Sequence, residues 1–200
     1  VTPSVDQFQS PDGSVGVAGT DFPEGIQVSS TFRTLVLAWH FRSANLLFSS
    51  ELTDESHLVH KRRVRDRVRA VAPFLRFPEA PYPVVASGRV FWILEGFTSS
   101  LAFPLSAVYD LGSSRQFVRY VRNSVKVTVD AVTGEILFYR VPVEDPMADA
   151  FAHAYPELFL GIEEMPQDLR DHLRYPRSLL DLQSDVLLQY HQETAEEFHG

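Results

Sequence analysis

Residues 117–141 read FVRYVRNSVKVTVDAVTGEILFYRV, and this stretch limits the fold more than any other. Val125, Val127 and Val129 alternate with Lys126, Thr128 and Asp130. Side chains along a strand point to opposite faces in turn, so a period of two predicts a strand with one buried, valine-lined face. Asp130-Ala-Val-Thr-Gly134 then supplies turn chemistry, with glycine where a positive φ costs little. Ile136 to Val141 is β-branched and aromatic again. Two such runs joined by a short glycine-containing loop predict an antiparallel hairpin.

The rest of the chain alternates between helical and extended patterns. Residues 1–30, rich in Gly, Ser, Pro and Asp, read as an extended N-terminal arm with a short strand near Val15 to Val17. Residues 31–200 read as one domain, helical in its C-terminal part from about residue 145. Thr31 to Ser49 predicts a helix, with a strand over Leu35 to Phe41 as the rival. Thr53 to Ala72 predicts a helix capped by Thr53 or Asp54, with Val64, Val68 and Val71 facing the core. Pro73 ends it. Val84 to Thr98 reads as a second hairpin turning at Ala86-Ser87-Gly88, and Leu101 to Tyr109 as a further short strand. Asp145-Pro146 is an N-cap followed by a first-turn proline, opening a helix to about Tyr155. A short helix over Gln167 to Leu173 follows. A last helix runs from Pro176 to about Gln192, with Leu179, Leu182, Val186, Leu187 and Tyr190 as its apolar face. The fold class is therefore α+β, antiparallel β-meander and hairpins packed against several α-helices.

Composition narrows the function classes. A formal net charge of −8 argues against a dedicated nucleic-acid binder. The absence of cysteine removes disulfides, thiolate catalysis and Cys-ligated zinc. The longest apolar run, Thr34 to Phe41, falls far short of the ~18 residues that span a bilayer. A chain opening Val-Thr-Pro, with no signal-peptide pattern, reads as a piece of a longer protein.

Three groups of residues invite a chemical reading. Lys61, Arg62, Arg63, Arg65, Arg67 and Arg69 form a basic run, either an anionic-surface contact or a solvated helix face, and the second is favoured. His57 and His60 have a spacing that can share one metal, but no HExxH accompanies them and no metal site or cofactor is assigned. Arg170 to Pro176, together with Gln183 and Tyr190-His191, mixes polar groups with aromatics. It reads as a polar pocket between the last helix and the sheet, or as a hydrogen-bonded junction fixing that helix. The binding candidates are His172, Arg174, Tyr175, His191, Arg122 and Asn123. No GxSxG elbow, Walker loop or dinucleotide glycine motif occurs, so no catalytic residue is assigned.

Six blocks in order carry a family resemblance: RDRVRAVAPFL (65–75), PYPVV (81–85), VRNSVKVTVDAVTGEILFY (121–139), DP (145–146), HLRYP (172–176) and QYH (189–191). Together they resemble uncharacterised protein family one-eight-two, large bacterial proteins with several membrane helices. Departures fall at Phe77-Pro78-Glu79-Ala80, at Glu95-Gly96-Phe97, at His60 and at Phe198-His199. The resemblance implies a region outside the cytoplasm, attached to the cell membrane by its parent. The expected role is a non-catalytic module binding a small ligand, an anionic lipid or the transmembrane part of its own parent. A hydrolase-like envelope enzyme and a structural scaffold are the alternatives.

Overall fold

The computed structural model describes residues 8–9, 15–16, 26–28, 30–43, 45–48, 57–58, 63–111 and 117–190. The chain divides into two compact units, Val1–Arg62 and Arg63–Gly200.

In the first unit, β1 (Phe8–Gln9) pairs antiparallel with β2 (Val15–Gly16). The strand β3 (Ile26–Gln27) precedes two helices, α1 (Thr31–Phe41) and α2 (Asn45–Phe48). The Ser30 hydroxyl caps α1 by accepting from the Arg33 N–H at 3.3 Å. Arg42 ends α1 in the left-handed region, with φ 50°. This stop splits the single helix expected over Thr31 to Ser49. The last element, β4 (His57–Leu58), pairs antiparallel with β3.

Because His57–Leu58 are extended, one helix cannot run from Thr53 to Ala72; the expected cap residues Thr53 and Asp54 lie outside the described residues. The helix α3 occupies only Val64–Val71, with Arg63 at the N-cap position. Lys61, Arg62 and Arg63 precede it, and cations oppose the positive end of a helix dipole; Asp66 in the first turn suits it. The buried stripe also differs from the expected one. Val68 and Ala72 are buried and Val64 half-buried, an i, i+4, i+8 line, while Val71 is exposed.

The second unit is built on a five-stranded sheet in the order β11-β10-β9-β6-β5. Its strands are β5 (Tyr82–Ala86), β6 (Arg89–Ser100), β9 (Tyr120–Asp130), β10 (Ile136–Arg140) and β11 (Phe159–Gly161). Both expected hairpins form. Ser87 and Gly88 turn the first with φ of 48° and 73°, the twist that two-residue hairpin loops prefer. Against expectation, β11 adds in parallel to β10, so the sheet is mixed. Between β6 and β9, β7 (Tyr109–Asp110) pairs antiparallel with β8 (Phe117–Val118). Leu101 to Val108 is turn and coil where a strand was expected, and Pro104 inside it cannot donate to a ladder. The remaining helices are α4 (Pro146–Ala154), α5 (Gln167–Arg170) and α6 (Arg177–Tyr190). Among the described residues no helix is long and apolar enough to cross a membrane.

The valines of β9 are buried as the alternation requires. Val125, Val127 and Val129 pack with Val68 of α3, with its C-cap residue Ala72, and with Leu75, Phe77, Leu94 and Phe138. The other face of the strand is not solvated. Lys126, Thr128 and Asp130 are buried too, on the side where Val84, Ile93, Tyr139, Met165 and Leu169 form a second cluster. A third cluster joins Phe97, Leu111 and Val118 to Leu179 and Leu182 of α6.

The β9–β10 turn shows how tightly local chemistry sets register. The Asp130 carboxylate accepts from the Val132 and Thr133 N–H groups, both at 2.8 Å, and pairs with Arg89 at 2.8 Å. Gly134 follows with φ 71°, and the Arg67 guanidinium lies against it. Gly134→Ala is expected to cost roughly 1–2 kcal/mol, the penalty of an L side chain in the left-handed region. Urea unfolding of the Gly134→Ala chain checks this, and an unchanged midpoint would show that the turn relaxes freely.

Candidate functional site

The sheet register brings together groups far apart in sequence. Glu95 of β6 lies directly across from Lys126 of β9. Cross-strand neighbours on one face are close enough for their side chains to meet. The Lys126 ammonium donates to Glu95 Oε2, and both side chains are almost wholly buried. Asn123 Nδ2 donates to the same oxygen at 3.1 Å. Glu95 Oε1 is buried with no hydrogen-bond partner. Burial pushes the Glu95 carboxyl above the usual range, against the pull of Lys126 and Asn123 toward the ionised form.

This centre holds the segment that leads into α6. Lys126 Nζ also reaches the Arg174 carbonyl at 3.4 Å. The Arg174 N–H donates to the Tyr82 hydroxyl at 3.3 Å, and the Arg174 guanidinium sits 4.6 Å from the Tyr82 ring centroid. Burial, then the nearby Glu95 charge, push the Tyr82 phenol up to about 12. Two residues past the segment's proline, Ser178 donates to Glu79 Oε1 through its N–H at 2.9 Å and its hydroxyl at 2.7 Å. Lys126 and Tyr82 of the sheet, and Glu79 just before it, thus join the segment that leads into α6.

A second polar knot lies at Asp145, read from the sequence as a helix cap. It caps α4 by accepting from the Met147 N–H at 3.0 Å. It also accepts from the hydroxyls of Thr98 at 2.5 Å, Tyr120 at 2.7 Å and Ser124. Burial alone would raise the Asp145 carboxyl; the bonds from Ser124, Thr98 and Tyr120 outweigh it and hold the group below the usual carboxylate range. Burial and the bond to Asp145 push the Tyr120 phenol up to about 12.

The sequence-derived candidates fall in several places. Asn123 and Arg174 belong to the Glu95–Lys126 centre, although the Arg174 side chain is exposed. Tyr175 is exposed, and its hydroxyl donates to Gln183 of α6 at 2.6 Å. His172 is exposed two residues beyond the end of α5. Arg122 is exposed, with its guanidinium 5.3 Å from the Tyr120 ring centroid. Of the basic run, Arg65 donates to the Glu79 carbonyl and Arg67 lies against Gly134, whereas Arg63 and Arg69 are exposed. Arg62, His60 and His191 lie outside the described residues. Sequence reasoning missed Glu95, Lys126 and Tyr82. Their signal was a lysine and a glutamate set among the apolar residues of the two longest strands.

What this arrangement does chemically is hold chain segments in place. Ser87, Ser124 and Ser178 each donate to a carboxylate, on Asp168, Asp145 and Glu79. No group of three or more His, Asp or Glu side chains positioned for a metal occurs among the described residues. An open groove of about 590 Å³ runs beside β10 and β11, lined by Arg140, Glu144, Asp149, Pro156, Phe159 and Glu163. Arg140 within it is paired with Asp149.

Fold and site together define an α+β module whose buried charges knit a mixed sheet to its C-terminal helix. The chain belongs to the uncharacterised protein family UPF0182, whose family model matches residues 4–200. A UPF0182 protein of Moorella thermoacetica is 39% identical over 88% of this chain and 19% of its own length. UPF0182 proteins of Cupriavidus necator and of a Sulfurovum species are 37% and 36% identical over 98% and 97% of the chain, each over 21% of its own length. The chain therefore spans about a fifth of the length of the curated relatives it matches. No solved structure matches it.

Proposed function

We propose that residues 63–190 act as a non-catalytic contact module of a longer bacterial membrane protein, on the extracytoplasmic side, with another segment of the same polypeptide as partner. One observation carries the reading. Polar side chains inside the sheet are spent on joining segments, while α6 turns Leu180, Leu187 and Leu188 to solvent. Leu180, Ser184 and Leu187 follow i, i+4, i+7 spacing, the stripe a helix offers to another helix. The Ser184 hydroxyl donates back to the Leu180 carbonyl at 2.9 Å, so the stripe presents no unmet donor. Relatives about five times as long supply ample chain to cover it. The extracytoplasmic, membrane-attached setting rests on the family resemblance.

Residues 1–200 hold no cysteine, so Ser184→Cys in the full-length parent adds the one thiol of this region. A membrane-impermeant maleimide is expected to label it in intact cells, above the level of the parent without the substitution. A photo-crosslinking residue at Leu187 is expected to join this module to another part of the parent chain. Labelling that needs lysis removes the location, and crosslinks only to unrelated proteins remove the partner.

A further inference from the structure

The first unit carries an exposed apolar surface of its own. On α1, Phe32, Leu35, Val36 and Trp39 are all exposed, Trp39 at 85% and Phe32 at 74%. Their i, i+3, i+4, i+7 spacing sets them along one face about 100° wide. Ala38 is buried and Thr34 and Leu37 are half-buried, so the helix is anchored by a different face. Exposed apolar residues scattered singly need no explanation, but four on one helical face mark a surface made for contact.

Charge decides what that contact is. From Gly25 to Ser50 the sequence holds no aspartate or glutamate, but it holds Arg33 and Arg42, in a chain whose formal net charge is −8. Arg33 and His40 lie beside the apolar arc, at the level where its edge meets water. In a chain of negative net charge, segments without acidic residues, such as this one, are where an anionic surface is approached at least cost. A helix with tryptophan, phenylalanine and leucine on one face and an arginine at its edge suits a bilayer interface. Tryptophan suits the boundary because its ring is apolar and its N–H stays hydrated. We infer that α1 lies in the headgroup region of an anionic membrane surface, with Phe32, Leu35, Val36 and Trp39 turned into the acyl boundary.

The test uses the 200-residue chain with vesicles of phosphatidylglycerol and phosphatidylcholine, and of phosphatidylcholine alone. Trp92→Phe leaves Trp39 as the only tryptophan. The chain is expected to sediment with the anionic vesicles, with Trp39 emission shifted to the blue and quenched by brominated lipid. Phe32→Ser with Trp39→Ser is expected to lower the partition coefficient at least about tenfold, since burying either side chain is worth a decade or more. These side chains are exposed, so their loss should leave the fold intact. Arg33→Glu with Arg42→Glu should abolish the preference for anionic lipid. Absence of binding, binding that survives loss of Phe32 and Trp39, or an unquenched Trp39 would each overturn the inference. So would a Trp39 that moves only when the rest of the parent chain is added, which assigns the face to a protein groove.

Discussion

Replacing Lys126 with methionine is expected to destabilise the second unit by about 3–5 kcal/mol, because it strands the Glu95 carboxylate inside the sheet. Lys126 and Glu95 are both buried, and Glu95 Oε1 already has no partner. Methionine fills much of the space of the lysine stem, so the loss measures the uncompensated charge more than a cavity. The double change Lys126→Met with Glu95→Leu is therefore expected to recover most of the deficit. Taking both charges out of a buried pair is often neutral or better. The pH dependence has a definite sign. Burial sets the folded-state Glu95 carboxyl above its unfolded value, so its contribution falls as pH rises from the unfolded value through the folded one. The Lys126→Met deficit should be largest at neutral pH and shrink on acidification, as Glu95 binds a proton and sheds its charge. Urea unfolding of both variants across that range measures it. A single-variant loss below about 1 kcal/mol, the size of an exposed pair, would mean that water reaches the site.

How much of this was legible in the sequence depends on the range over which each signal acts. The β9–β10 hairpin was legible because alternation and turn chemistry are written in adjacent residues. The α4 start was legible for the same reason, since Asp145 and Pro146 are neighbours. The destination of the polar face of β9 was not. Lys126, Thr128 and Asp130 look like a solvated face, because alternation reports which residues share a side and not what covers that side. Covering it took β5, Met165 and Leu169, and satisfying it took Glu95, 31 residues away. The α3 boundary was misplaced because a helical stripe can be traced on either side of a true start. The cations before Val64, opposed to the helix dipole, are the local signal that would have corrected it. The Arg174 segment left two readings open, pocket or junction. Which applied turned on whether Lys126 and Tyr82 lay beneath it, a matter of strand order rather than spacing.

Asp145→Ala is expected to cost about 3–5 kcal/mol, the sum of a lost N-cap and several buried donors left without an acceptor. The cap explains only one of four hydrogen bonds to this carboxylate. The hydroxyls of Thr98, Ser124 and Tyr120 come from two strands, 47, 21 and 25 residues away in sequence. Asp145 thus ties the start of α4 to β6 and β9, and its removal loosens the end of the sheet as well as one helix. Asp145→Asn keeps an oxygen for the cap but turns two new N–H donors toward groups that are themselves donors. It should cost less than alanine but more than the cap alone, which is worth about 1 kcal/mol. Acid titration separates this from a packing effect. The folded-state carboxyl lies below its unfolded value, so its stabilisation is complete above the unfolded pKa of about 3.9 and is lost as pH falls through the folded value. The wild-type chain should weaken through that window, and the Asp145→Asn chain should show a shallower acid limb because it has no proton to take up there. Urea midpoints measured down to that range distinguish the two. Equal slopes for both chains would mean that the three hydroxyls do not converge on an ionised Asp145, and that the cap alone accounts for its role.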